Sequence, residues 1–125
     1  MDQVSLPSDS ATGYRSGLLD IWVDDSQPDM RRVSISGELD VSGVATLRRA
    51  LEDLHPRAGA TLAVDMAGVG FADSSGIAPI LETRDRWTAA RAGFVMLNPS
   101  HAVQRLIEIL EATGAEITAA QRFNA

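Results

Sequence analysis

The chain has 125 residues, 45% hydrophobic and 22% charged, with a formal net charge of −6 and no cysteine. That length suits one domain with a core of its own. The missing cysteine excludes disulfides, thiolate metal sites and a cysteine nucleophile, and the acidic balance is wrong for direct nucleic-acid binding or for an anionic membrane surface. Aromatic residues are only 5%, so Leu, Ile, Val and Ala must build the core. No apolar run approaches the roughly 20 residues that span a bilayer. The start, Met1-Asp2-Gln3-Val4-Ser5-Leu6-Pro7, has neither the basic nor the apolar region of a signal peptide. A cytoplasmic protein without a membrane span is expected.

Residues 1 to 16 are rich in Ser, Asp, Gly and Pro without periodicity and read as a flexible leader, followed by a domain over 17–120 and a short tail over 121–125. Leu18 to Val23 reads as a strand, and Asp24-Asp25-Ser26-Gln27-Pro28-Asp29 as a turn. Arg32 to Gly37 alternates polar and apolar residues, as a half-buried strand does, and is expected to pair antiparallel with the strand before it. After Glu38-Leu39-Asp40, the apolar positions Val44, Leu47, Leu51 and Leu54 recur at three- and four-residue spacing and mark a first helix. His55-Pro56-Arg57-Ala58-Gly59 ends it. Thr61 to Met66 is nearly continuously apolar, the pattern of a strand covered by helices. Ile77, Ile80, Leu81 and Trp87 mark a second helix, Phe94 to Leu97 a further strand, and Val103, Leu106, Ile107 and Leu110 a third helix, with Gly114 at its stop. Glu116-Ile117-Thr118 reads as a short edge strand. Strands separated by helices predict an α/β fold, a mixed sheet of four to five strands with helices packed on it.

The stretch Phe71-Ala72-Asp73-Ser74-Ser75-Gly76-Ile77 places two hydroxyls and a carboxylate at a strand-to-helix junction, where α/β folds put their chemistry. On its own, Asp-Ser-Ser-Gly also reads as an ordinary helix-capping turn. Pro79 leaves two geometries open: a helix capped by Ser75, whose carbonyl the proline ring crowds, or a helix that begins at Pro79 after an extended Ser74–Ile77 loop. A hydrolase using Ser74 needs a positioned base and usually a Gly-x-Ser-x-Gly elbow, which is absent. His55 and His101 sit at helix ends with no second ligand at metal spacing. Neither catalysis, a metal nor a cofactor is expected.

Three blocks in order resemble STAS domains, the family of sulfate transporter domains and anti-sigma factor antagonists. They are Gly37-Glu38-Leu39-Asp40, then Val64 through Asp73-Ser74-Ser75-Gly76-Ile77, then Asn98-Pro99-Ser100 through Leu110 to Thr113-Gly114. The resemblance runs from about residue 18 to residue 118 and implies a single STAS-like domain acting as an anti-sigma factor antagonist. Such a protein, when unphosphorylated, binds an anti-sigma factor that is usually also a serine kinase, and so frees a sigma factor for transcription. The kinase phosphorylates the first hydroxyl after the motif aspartate, here Ser74, and a PP2C-type phosphatase reverses it. Asp40, Asp73, Ser75 and Gly76 are implied at the partner-binding surface. The alternative within the same fold is a scaffold or accessory subunit, stressosome-like or transporter-associated, with a structural Ser74.

Overall fold

The computed structural model describes the backbone of residues 11–124 and the side chains of residues 11–112. Three strands, β1 (Ala11–Ser16), β2 (Leu19–Gln27) and β3 (Met30–Leu39), pair antiparallel in succession. The chain then crosses through α1 (Val44–Glu52) to β4 (Thr61–Ala72), which lies parallel to β3, and through α2 (Ser74–Ala89) to β5 (Gly93–Leu97), parallel to β4. The last helix, α3, spans His101–Asn124. The strands stand side by side in chain order, β1-β2-β3-β4-β5.

The sheet is covered on one side. Alternation along β2 and β3 buries Leu19, Ile21, Val23, Val33, Ile35 and Leu39 on one face, and Leu62, Val64 and Met66 of β4 continue it. Leu47 and Leu51 of α1, Ile77, Ile80 and Trp87 of α2, and Val103 of α3 join the same cluster. Burying these side chains contributes about 25 cal/mol per Å² of apolar surface. The residues between them point to the other face, where Asp20, Trp22, Ser34, Ser36 and Asp65 are half-buried and the small Ala63 is buried.

β4 is longer than its apolar run because it is bulged twice. As β3 moves from Ser34 to Ser36, β4 moves from Asp65 to Gly68, and as β3 moves from Gly37 to Glu38, β4 moves from Val69 to Phe71. Each bulge adds one residue and switches the side-chain parity. The first turns Val69 into the core, and the second restores the alternation, leaving Phe71 52% exposed and Ala72 packed on the core. The Asp65 carboxylate holds the first bulge by accepting from the Ala67 N–H at 2.9 Å.

The expected mixed α/β sheet with helices packed on it is the one found, and three expectations about the chain's ends are corrected. Residues 11–16 of the expected leader form β1, held to β2 by a full antiparallel register from Ala11↔Asp24 to Ser16↔Leu19; residues 1–10 lie outside the described residues. The backbone of α3 continues through Gly114 and through the expected edge strand at 116–118. It also takes in residues 121–124 of the expected tail, residue 125 lying outside the described residues. One interior glycine costs a helix only about 1 kcal/mol, and the alanines, glutamates and glutamine around Gly114 are strong helix formers.

Candidate functional site

β3 and β4 end side by side. Leu39 pairs with Ala72 in the parallel register, so the next residue on each strand, Asp40 and Asp73, emerges at the same end of the sheet. Each aspartate caps the helical turn that begins just after it. Asp40 Oδ1 accepts from the Ser42 N–H at 3.0 Å and from the Ser42 hydroxyl at 2.5 Å, starting a single 3-10 turn over Val41–Gly43 that leads into α1. Asp73, extended at φ −121°, starts α2 by accepting from the Gly76 N–H at 3.1 Å through its side chain. The Asp73 N–H donates to the Leu39 carbonyl at 3.0 Å, which ties the start of α2 to the end of β3. Gly76 lies buried on that same residue: a Cβ there would stand 2.2 Å from the Leu39 carbonyl oxygen. Only glycine lets the first turn of α2 settle so closely on β3.

Ser74 and Ser75 are therefore the first two residues of α2, and both are exposed. Among the described residues neither hydroxyl makes a hydrogen bond, because Asp73 has taken the capping role. The helix begins at Ser74 with Pro79 inside it, so neither geometry drawn from the sequence, a Ser75 cap or a start at Pro79, is adopted. Pro79 has no N–H, which leaves the Ser75 carbonyl without its usual helical donor.

The structure thus brings Asp40, Asp73, Ser74 and Ser75 to one surface, with Gly76 beneath. It adds residues that the sequence patterns did not single out. Val41 is 72% exposed and Phe71 52% exposed, each close in the chain to one of the two aspartates. Leu18, 70% exposed, lies in the β1–β2 turn, which crosses Gly37 so closely that a Cβ there would meet the Leu18 carbonyl oxygen at 1.7 Å. Gly37 takes φ 101°, a backbone that glycine alone adopts without strain. Leu18, Val41 and Phe71 thus stand exposed at or near the ends of the strands that carry the two carboxylates, and exposed apolar side chains beside polar ones are a common feature of protein-contact surfaces. Helix α2 presents its N-terminal amides and positive dipole end at the same place, which favours a phosphate there.

Among the described residues no histidine or carboxylate hydrogen-bonds the Ser74 hydroxyl. Among the described residues no three His, Cys, Asp or Glu side chains converge as metal ligands, and no helix is long and apolar enough to cross a membrane.

Comparison with known proteins places this geometry. The sequence model of the family described as "Mlab, STAS domain" matches residues 22–118. Among solved structures, an anti-sigma factor antagonist from Mycobacterium paratuberculosis is 25% identical, with a TM-score of 0.58 over 80% of this chain and 81% of that one. The anti-sigma factor antagonist SpoIIAA in its unphosphorylated form is 19% identical, with a TM-score of 0.57 over 70% of this chain and 81% of that one. The Bacillus cell fate determinant SpoIIAA in its phosphorylated form is 20% identical, with a TM-score of 0.56 over 75% of this chain and 83% of that one. No curated protein matches the sequence.

Proposed function

The chain belongs to the STAS domain family, and on that footing we propose that it is an anti-sigma factor antagonist switched off by phosphorylation of Ser74. The unphosphorylated protein binds an anti-sigma factor that is also a serine kinase, through the surface of Asp40, Asp73 and Ser75 with Leu18, Val41 and Phe71. A PP2C-type phosphatase resets it. The single observation that carries this reading is the Ser74 hydroxyl itself: exposed, without a hydrogen bond among the described residues, and first in a helix that Asp73 already caps. Among the described residues Ser74 makes no side-chain hydrogen bond that would give it a structural role, so the alternative of a constant scaffold or accessory subunit gains no support from it. The 25% identical relative from Mycobacterium paratuberculosis, described as an anti-sigma factor antagonist, supports the same reading.

The mechanism is electrostatic. A phosphate on Ser74 adds about −1.5 to −2 charge beside Asp40 and Asp73. The N-terminal amides of α2 stabilise that charge within the domain, so the fold survives while a partner packed against the hydroxyl meets a dianion. A change of about 1.4 kcal/mol is tenfold in affinity, and burying such a charge costs a partner more than that. Incubation with ATP and the anti-sigma kinases of the same cell, followed by mass spectrometry, is expected to place phosphate on Ser74. Ser74→Ala should keep the fold and the partner, and Ser74→Asp should keep the fold and bind at least about tenfold more weakly. Equal binding by both variants, or phosphate absent from Ser74 with every such kinase, would overturn the proposal.

A further inference from the structure

We propose that Asp65 is a positioning residue for Ser74: its carboxylate fixes the register in which the far half of β4 meets β3, and so decides which residue of the Asp-Ser-Ser-Gly stretch opens α2. From the pair Ser34↔Asp65 to the pair Leu39↔Ala72, β4 uses two residues more than β3, one in each bulge. That surplus has to be stored at fixed places. In a strand one residue is about 3.3 Å of length, so a bulge that is lost would move Asp73 out of reach of the Leu39 carbonyl, to which its N–H now donates at 3.0 Å. Side-chain burial does little to prevent this. Between Met66 and Ala72 only Val69 is buried, while Ala67, Gly68, Gly70 and Phe71 are exposed. Glycine-rich strands of that kind specify their register weakly.

Asp65 supplies what the apolar pattern lacks. Its side chain is only 15% exposed and takes donors from three neighbouring segments. Oδ1 accepts from the Ala67 N–H at 2.9 Å, within the bulge, and from the Asn98 side-chain amide at 3.3 Å, just beyond β5. Oδ2 accepts from Arg32 of β3 at 2.5 Å. The first bond folds the bulge, and the other two tie it to the strands on both sides. Asn98 holds φ 55°, a left-handed backbone that asparagine tolerates better than most residues. Gly68 completes the bulge, since a Cβ there would stand 2.6 Å from the Ser36 Cβ. Bulges recur next to functional sites because they re-aim side chains, and beyond this one the chain reaches Asp73 and Ser74. The consequence for phosphorylation rests on the proposed role of Ser74, whereas the positioning is measured without a kinase.

Native-state hydrogen exchange of the full chain, read by NMR, tests this. Asp65→Ala should lower the protection of the Asp73 and Gly76 amides by at least about tenfold more than that of amides at the centre of β3. Asp65→Asn keeps Oδ1 and loses only the Arg32 bond, so the two junction amides should then change no more than the core does. Gly68→Ala leaves Asp65 intact but crowds the bulge, and should open the junction as Asp65→Ala does; it decides the matter if Asp65→Ala does not fold. Val23→Ala, a core change away from the junction, lowers global stability and should leave the junction no more open than the core. With a kinase that acts on Ser74, Asp65→Ala should be phosphorylated about tenfold more slowly and Asp65→Asn at nearly the wild-type rate. Junction protection that follows the core in both Asp65→Ala and Gly68→Ala, an equal loss in Asp65→Asn and Asp65→Ala, or equal phosphorylation of Asp65→Ala and the wild type would each overturn the proposal. A wild type that no kinase phosphorylates, with junction protection changing as expected, would overturn the Ser74 switch alone.

Discussion

The Asp65 carboxylate accepts from the Ala67 N–H at 2.9 Å, from Asn98 at 3.3 Å and from Arg32 at 2.5 Å. The Ala67 bond is the foremost reason its pKa lies below the ordinary 3.8, with Asn98 and Arg32 adding to it against the opposing effect of burial. A carboxylate with a depressed folded pKa binds fewer protons folded than unfolded, so its contribution is present above the unfolded value and lost as pH falls through the folded one. Urea denaturation of the wild type and of Asp65→Asn, from neutral down to about pH 3, should show a stability gap that is largest near neutrality and closes below the ordinary carboxylate range. A gap constant across that range would mean that Asp65 acts by shape alone. The Asp73-Ser74-Ser75-Gly76 junction was legible in the sequence because turn and cap chemistry favours these residue types, and Asp40 entered through the family resemblance of its block. Leu18, Val41 and Phe71 were not legible. Exposure of an apolar side chain depends on where a turn crosses and where a strand bulges, and neither leaves a periodic trace.

Pro79 sits inside α2, buried, with its carbonyl accepting from the Thr83 hydroxyl at 2.8 Å. An interior proline costs a helix about 3 kcal/mol, offset here by the burial of a ring worth roughly 1–2 kcal/mol. Pro79→Ala should therefore stabilise the domain by about 1–2 kcal/mol in chemical denaturation; a loss of stability would show that the packing of the ring outweighs the strain in the helix. The same balance between local preference and tertiary context explains which elements could be read in advance. β2, β3, α1 and α2 announce themselves through apolar spacing. β1 does not, since Ala11-Thr12-Gly13-Tyr14-Arg15-Ser16 has a single large apolar residue, and it is a strand because β2 offers an edge to pair with. β4 runs six residues past its apolar segment because its second half follows β3 through two bulges, a length that β3 dictates.

Across the molecule, side chains of α2 bind the helix layer together. Arg86 donates to the Leu51 carbonyl at 2.9 Å and to the Leu54 carbonyl at 3.2 Å, satisfying acceptors at the C-terminal end of α1. Arg48 pairs with Glu82 between α1 and α2, and Arg84 with Glu111 between α2 and α3. Arg86→Ala should cost about 1.5–3 kcal/mol, as the loss of charged hydrogen bonds in a partly buried place does, whereas Arg48→Ala should cost under about 1 kcal/mol, being an exposed pair. Equal losses in thermal or urea melts would refute that ranking. The spatial order of the strands, β1-β2-β3-β4-β5, has a consequence for how the chain acquires its shape. Every strand is laid beside the one made just before it, so no strand waits for a later segment to insert between it and its neighbour. The two parallel pairings, which start at Met30↔Thr61 and Thr61↔Gly93, each close across an intervening crossover helix, the non-local kind of contact that slows folding. A chain emerging from its N-terminal end adds one strand at a time to a growing edge. The junction bearing Ser74 takes form only when β4 has zipped onto β3, since the Asp73 N–H bonds the Leu39 carbonyl at the end of β3, so the proposed phosphorylation would read only chains whose central pairing is already complete.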